Sequence, residues 1–282
     1  MVSSDADLEV VLSGYSFDWL LSIANLDMLP QAVLDLPAIG AVNFHDGPLP
    51  RYAGLNAPVW AKLANETSHG ITWHLINAKA DTGDILVRRT FELVDTDTAL
   101  TLNAKCYSAA IDSFPELAEA LEQGVTSGIA QNLSQRSYFG HNARPDAAAR
   151  FDFRRDAADA VALVRALDHG AYFNPIMCAK IVVAGQVLTV GEAEIAPTES
   201  VHGVPGAVLQ SDDDGVVVHC GRGAVVLRDL RDLTGNQIPP ARLIHAGDTL
   251  PSLDKAASNY LTDALKAALS VEESHWRDRL AN

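Results

Sequence analysis

Asn43, His45 and Asp46 stand in the stretch NFHDGPLPRYAG (43–54), directly after the apolar run LDLPAIGAV. Gly47, Pro48 and Pro50 forbid both helix and ladder there, so the stretch reads as a stiff loop carrying polar tips. A second polar loop, NAKADTGD (77–84), carries Asp81. An amide, an imidazole and a carboxylate gathered in one pocket suit acyl transfer to an amine. The amide and the imidazolium donate to the oxyanion on the attacked carbonyl, and the carboxylate favours the charged ring. Taken alone, a histidine such as His45 is more often structural than catalytic, and Asp46 reads as a solvated turn residue. Both loops follow strand-like runs. In a parallel sheet, ligands bind outside the carboxyl ends of the strands, which predicts that Asn43, His45 and Asp81 share one crevice.

The elements that must position these groups are legible from periodicity. FDWLLSIAN (17–25), IGAVNF and HGITWHLI (69–76) read as buried strands, and ILVRRTFEL continues extended. MLPQAVLDL reads as a short helix with Pro30 near its start, and NAPVWAKLANE as another, with Trp60 in the core. In the run from Thr96 to Gly124, Leu100, Ala104, Tyr107, Ile111, Phe114, Ala118 and Leu121 step by three and four. That spacing predicts a long helix with this stripe as its packing face and a kink or break at Pro115. Strands alternating with helices argue a parallel α/β sheet. Residues 134–150 are polar and aperiodic and read as a linker between a core over 1–133 and a second domain over 151–248. In that second domain one helix, DAADAVALVRALD, leads into short strands punctuated by Gly and Asp, the signature of a small β-barrel. Residues 249–282 read as a helical tail.

Composition narrows the function classes. The chain has 282 residues, 48% hydrophobic and 20% charged, and a net charge of −15. Residues 151–282 hold 12 basic and 18 acidic side chains, so neither half has the basic surplus of a nucleic-acid binder. No run reaches membrane-span length. Cys106, Cys178 and Cys220 are isolated, which predicts reduced, buried thiols in the cytoplasm. His69 and His74 with Asp81 make a poor metal set, because strand residues five apart face opposite sides; no metal is expected. His74 reads as lining the sheet or contacting substrate passively. Gly221-Arg222-Gly223 reads as a hairpin turn, and nucleophile-elbow and phosphate-loop motifs are missing.

The run from Asp18 to Leu86 resembles the catalytic core of the folate-dependent formyltransferases. The resemblance rests on Asn43-Phe44-His45, the loop Leu49-Pro50-Arg51-Tyr52-Ala53-Gly54, and Asp81-Thr82-Gly83-Asp84-Ile85-Leu86. VRALDHGAYFNPIMCAKI and VPGAVLQSDDDGVVVHCGRGAVVLRDL are similar to the C-terminal domain appended to methionyl-tRNA formyltransferases. The fold so implied is α/β: a parallel-sheet, Rossmann-like formyltransferase core, followed by a small OB-like β-barrel domain. The chain departs from the motif in three places. Gly47-Pro48-Leu49-Pro50 replaces Ser-Leu-Leu-Pro, Ala53 replaces an arginine, and sixteen residues precede Phe17 where the family has several dozen. The last departure implies an N-terminally short core with an exposed sheet edge.

The resemblance implies Asn43, His45 and Asp81 as catalytic residues and N10-formyltetrahydrofolate as co-substrate. It implies folate contacts from Asn25, Leu29, Leu49, Pro50, Ala80, Gly83 and Asp84. The acceptor it implies is an amine. The stretch at 272–280, Glu-Glu-Ser-His-Trp-Arg-Asp-Arg-Leu, resembles the lead-in ahead of peptide-synthetase domains. With the acidic charge, it favours a small-molecule or carrier-bound amine, with downstream synthetase domains as partners, over initiator tRNA. Three alternatives stand beside this reading: a methionyl-tRNA formyltransferase, a formyltetrahydrofolate hydrolase and a non-catalytic scaffold.

Overall fold

The computed structural model describes the backbone of residues 5–197 and 203–280 and the side chains of 8–197 and 203–269. The chain divides into two units, one from Met1–Trp60, Thr67–Val94 and Thr101–His141, the other from Ala61–Glu66, Asp95–Leu100 and Asn142–Asn282. The first unit carries α1 (Asp5–Leu12), β1 (Trp19–Ser22), α2 (Gln31–Leu34), β2 (Gly40–His45) and β3 (Ala53–Gly54). Then come α3 (Ala57–Leu63), β4 (Ser68–Leu75), β5 (Ile85–Glu92), α4 (Ala99–Glu122) and β6 (Tyr138–Phe139), with the last three residues of α3 and the first two of α4 assigned to the second unit. Its main sheet runs β1-β2-β4-β5. The β1–β2 pair is parallel, while β4 joins β2, and β5 joins β4, antiparallel. Among the described residues β1 pairs with β2 alone and so ends the sheet.

Alternation along β2 and β4 sorts the two faces of this sheet. Val42, Phe44, Ile71 and Trp73 point to one face, where they pack with Val87 against Cys106, Ala110 and Leu117. Phe44 and Trp73 meet at a ring distance of 5.1 Å, and the Trp73 indole N–H donates to the Ser113 hydroxyl at 2.9 Å. Asn43, His45, Thr72 and His74 therefore share the opposite face.

The long helix forms where its periodicity predicts it, with a different face inward. Leu102, Cys106, Ala110, Ser113 and Leu117 are buried, whereas Tyr107, Ile111 and Phe114 are exposed. Two apolar stripes coexist on α4, and the narrower, smaller-residue one fits close against Trp73 and Phe44. Pro115 sits within the helix without ending it. It leaves the Ile111 carbonyl without a helical partner, on a side where Ile111 is 73% exposed and water can take that bond.

The second unit leads with α5 (Ala157–Ala166) and builds β7 (Lys180–Val183), β8 (Gln186–Ile195), β9 (Val208–Ser211), β10 (Gly215–His219) and β11 (Ala224–Arg231). They form one antiparallel sheet ordered β7-β8-β11-β10-β9, a curled half-barrel with β7 and β9 as its outer strands. Gly221–Gly223 makes the β10–β11 hairpin turn, closed by the Cys220 N–H on the Gly223 carbonyl at 2.9 Å. The tail is a helix, α6 (Lys255–Leu280). The side chains of the 272–280 motif lie outside the described ones. Within the stretch read as a linker, Tyr138–Phe139 forms β6 and pairs with β3. Cys106 and Cys220 are buried but Cys178 is exposed, which corrects the expectation of three buried thiols.

Candidate active site

Cross-strand register sets four polar side chains in a square: Asn43 opposite His74, and His45 opposite Thr72. The β4–β5 ladder slips at Trp73/His74, a bulge that re-aims His74 beside the loop that follows. That loop brings Asp81, but not by the route the sequence argument supposes. Since β4 runs antiparallel to β2, residues 77–84 leave the opposite end of the sheet from residues 46–54. The two loops meet because both fold back over the same face. Asp81 arrives in a left-handed turn, φ 53°, a conformation aspartate tolerates.

Asn43, His45 and Asp81 then form one connected set. The His45 Nε2–H donates to the Tyr52 carbonyl at 2.8 Å, which turns Nδ1 toward Asp81 Oδ2 and Asp46 Oδ1, each 3.9 Å away. This separation is too long for a direct hydrogen bond and short enough for strong attraction to a charged ring. His74 Nε2 lies 3.4 Å from Asp81 Oδ1 and 3.3 Å from Asn43 Nδ2. The Gly54 N–H donates to Asp81 Oδ2 at 2.7 Å. Burial pushes the Asp81 carboxyl up, but the adjoining His74 and His45 rings and the Gly54 N–H outweigh it and pull it from 3.8 down to about 2. The carboxylate stays ionised across the whole physiological range.

The proline-rich loop is clamped to this face. Thr72, fully buried, accepts from the Leu49 N–H at 3.1 Å and donates to the Gly47 carbonyl at 2.8 Å. Arg88 donates to the Leu49 carbonyl. Gly54 holds φ 95°, and a Cβ there would lie 2.1 Å from the Phe139 carbonyl oxygen, so only glycine serves. A Cβ on Gly47 would sit 2.7 Å from His45 Nε2, inside its bond to Tyr52. The Asp81 loop is held from outside: Gln131 Nε2 donates to the carbonyls of Asp81 and Gly83, and Arg136 to that of Ala80.

The residues expected to contact folate are distributed over these loops. Leu49 and Pro50 are buried in the clamped loop, and Gly83 packs with its Cα against the Leu75 carbonyl. Ala80 and Asp84 give their carbonyls to Arg136 and to the Leu75 N–H. Leu29 is half-buried. Asn25 is exposed and bonded within its own turn, to the Asp27 carbonyl and N–H. Asp46 is more than a turn residue, since its carbonyl accepts from His69 Nε2 at 2.9 Å. Sequence reasoning missed Thr72, Gln131 and Arg136 as parts of the site and gave His74 no more than a passive contact. Thr72 and His74 carried a signal, polar residues two apart in an otherwise apolar strand; Gln131 and Arg136 carried none.

Residues 3–117 match the formyl transferase family model, and residues 145–246 match the model of its C-terminal domain. A methionyl-tRNA formyltransferase of Stutzerimonas stutzeri is 30% identical over 245 residues, 86% of this chain and 72% of that protein. The chain belongs to the formyl transferase family. The chain is also 34% identical over 211 residues to the methionyl-tRNA formyltransferase of Thiobacillus denitrificans, across 72% of its own length and 63% of the relative's, less than two thirds. Among solved structures, HypX from Aquifex aeolicus in complex with tetrahydrofolic acid shares the fold at a TM-score of 0.61 and 23% identity. That likeness covers 84% of this chain and 40% of HypX. WlaRD, a sugar 3N-formyl transferase solved with dTDP and 5-N-formyl-THF, aligns at a TM-score of 0.58 and 16% identity, over 75% of this chain and 72% of WlaRD. The fold class read from the sequence, a formyltransferase core followed by a barrel-like domain, is thus the one this chain has.

Proposed function

We propose that this chain transfers the formyl group of N10-formyltetrahydrofolate to an amine of a small-molecule or carrier-bound acceptor. The observation that carries the reading is the network joining Asn43, His74, Asp81 and His45 on one sheet face. Its donor set, a carboxamide and an imidazole beside an ionised carboxylate, fits a formyl carbonyl under attack by an amine. When bound, the folate supplies an activated formyl carbon. Asn43 and, as the imidazolium with its Nδ1–H toward the site, His45 donate to the charge that builds on the formyl oxygen, worth ~2.7–4 kcal/mol per donor. Asp81 steadies the positive charge that grows on the attacking nitrogen and receives its proton, directly or through water. The new C–N bond forms as the bond to N10 breaks, and N10 takes up a proton, so the reaction is proton-neutral. We assign Asn25, Leu29, Leu49, Pro50, Ala80, Gly83 and Asp84 to folate contacts. The three free thiols suit a reducing compartment, the cytoplasm.

A second reading, transfer to methionyl-tRNA, is favoured by the names of the relatives near 30% identity and by the C-terminal domain. The net charge of −15 opposes it. Tetrahydrofolate release, followed by absorbance, separates the readings. The panel holds no amine, free amino acids, nucleotide-linked amino sugars, a polyamine and methionyl-tRNA. Release that depends on a small amine, and falls at least a hundredfold in Asp81→Asn, is expected. Equal release without any amine points instead to hydrolysis, and folate binding with no turnover under any condition points to a scaffold.

A further inference from the structure

His74 carries one constraint that fixes its chemistry. Its Nδ1 lies 2.8 Å from the Leu75 carbonyl oxygen, which only accepts, so Nδ1 bears a proton. In the neutral ring the lone pair is therefore on Nε2; of the two groups facing it, Asp81 Oδ1 at 3.4 Å only accepts, so the one donor within reach is the Asn43 side-chain nitrogen at 3.3 Å. That is the one side-chain hydrogen bond of Asn43 among the described residues. A carboxamide is nearly symmetric in shape, so packing alone chooses poorly between its oxygen and its nitrogen. A hydrogen bond to a nitrogen that can only accept does choose. Asp81 is anchored separately, through Oδ2, by the Gly54 N–H at 2.7 Å.

We propose that His74 is a positioning residue that holds the Asn43 carboxamide with its NH2 group toward the site, leaving the second N–H free to donate to the formyl oxygen. The proposal rests on the formyl-transfer reading and deepens it. It makes the tautomer of one ring, set by a backbone carbonyl on β4, the determinant of which end a β2 side chain presents. Neighbouring register supplies the geometry, since Asn43 and His74 are direct cross-strand partners. His74→Leu removes the acceptor and keeps the bulk. His74→Gln returns an acceptor oxygen near the place of Nε2.

The test uses the full chain and two kinds of readout. The first needs no activity: long-range 1H–15N spectra of His74 report its tautomer, and the side-chain amide pair of Asn43, assigned by its loss in Asn43→Ala, reports the bond. The Nδ1–H tautomer is expected in the wild type, with an Asn43 pair that shifts in His74→Leu and is largely restored in His74→Gln. The second is turnover with N10-formyltetrahydrofolate and the panel amine that turns over fastest. There His74→Leu lowers kcat roughly tenfold, less than loss of the amide itself, with KM for the folate within about twofold. His74→Gln recovers most of it, and His74→Leu costs nothing further in Asn43→Ala. An Nε2–H tautomer, an unmoved Asn43 pair in His74→Leu, or additive losses in the double variant overturns the proposal. Should the leucine variant fail to fold, the wild-type tautomer and the glutamine variant decide it. If no amine turns over while the Asn43 pair responds as expected, the function reading falls and the positioning stands.

Discussion

Asp81 shows how far neighbours reset a single group. Its side chain is 12% exposed, and burial alone would raise its pKa, yet His74, His45 and the Gly54 N–H bring it down from 3.8 to about 2. Because the folded value lies below the unfolded one, the ionised carboxylate stabilises the fold above about pH 4. That contribution, about 2 kcal/mol, drains away as pH falls from about 4 to about 2. Urea unfolding of wild type and Asp81→Asn is therefore expected to differ by about this amount at pH 6, with the gap closing toward pH 2; a constant gap contradicts the linkage. Gly47 supplies a second residue-scale prediction. Gly47→Ser restores the residue the family motif usually carries, yet its Cβ intrudes on the bond between His45 Nε2 and the Tyr52 carbonyl. Turnover should fall about tenfold or more, with the fold intact by circular dichroism.

At the scale of elements, the site exists because β2 and β4 alternate in register. The same two strands bury Phe44 and Trp73 on one side and present Asn43, His45, Thr72 and His74 on the other. Thr72 then ties the proline-rich loop to the sheet through the Leu49 N–H and the Gly47 carbonyl, both in a fully buried setting. Thr72→Val keeps the shape and strands both backbone groups, so a loss of roughly 2–4 kcal/mol in unfolding free energy is expected, measured by urea denaturation. Activity should fall with it, because the loop carries Tyr52, the partner of His45. Helix α4 teaches a related lesson. Its two apolar stripes have the same period, and the sheet accepts the one whose Cys106, Ala110 and Ser113 leave room for Trp73.

For the whole molecule, the thiols offer a check that spans both units. Burial raises Cys106 far above the usual thiol range and lifts Cys220 to about 11, whereas Cys178 is exposed. Titration of the native chain with a disulfide reagent should find one fast thiol, with two more only on unfolding; two fast thiols would contradict this burial pattern. Among the described residues no helix is long and apolar enough to cross a membrane, and the acidic charge leaves salt-sensitive tRNA retention as the observation that would revive the second reading. The strands, the helices and the trio Asn43, His45 and Asp81 were legible because hydrophobic period and motif spacing are local properties of the chain. Which stripe of α4 turns inward, the antiparallel course of β4 and the arrival of the Asp81 loop from the far end of the sheet were not. Nor were the bond from His74 to Asn43 and the carbonyl clamps of Gln131 and Arg136. Each of these is a contact between residues distant in sequence, and only packing, which compares volumes and partners across the whole unit, selects among arrangements that local pattern leaves equal.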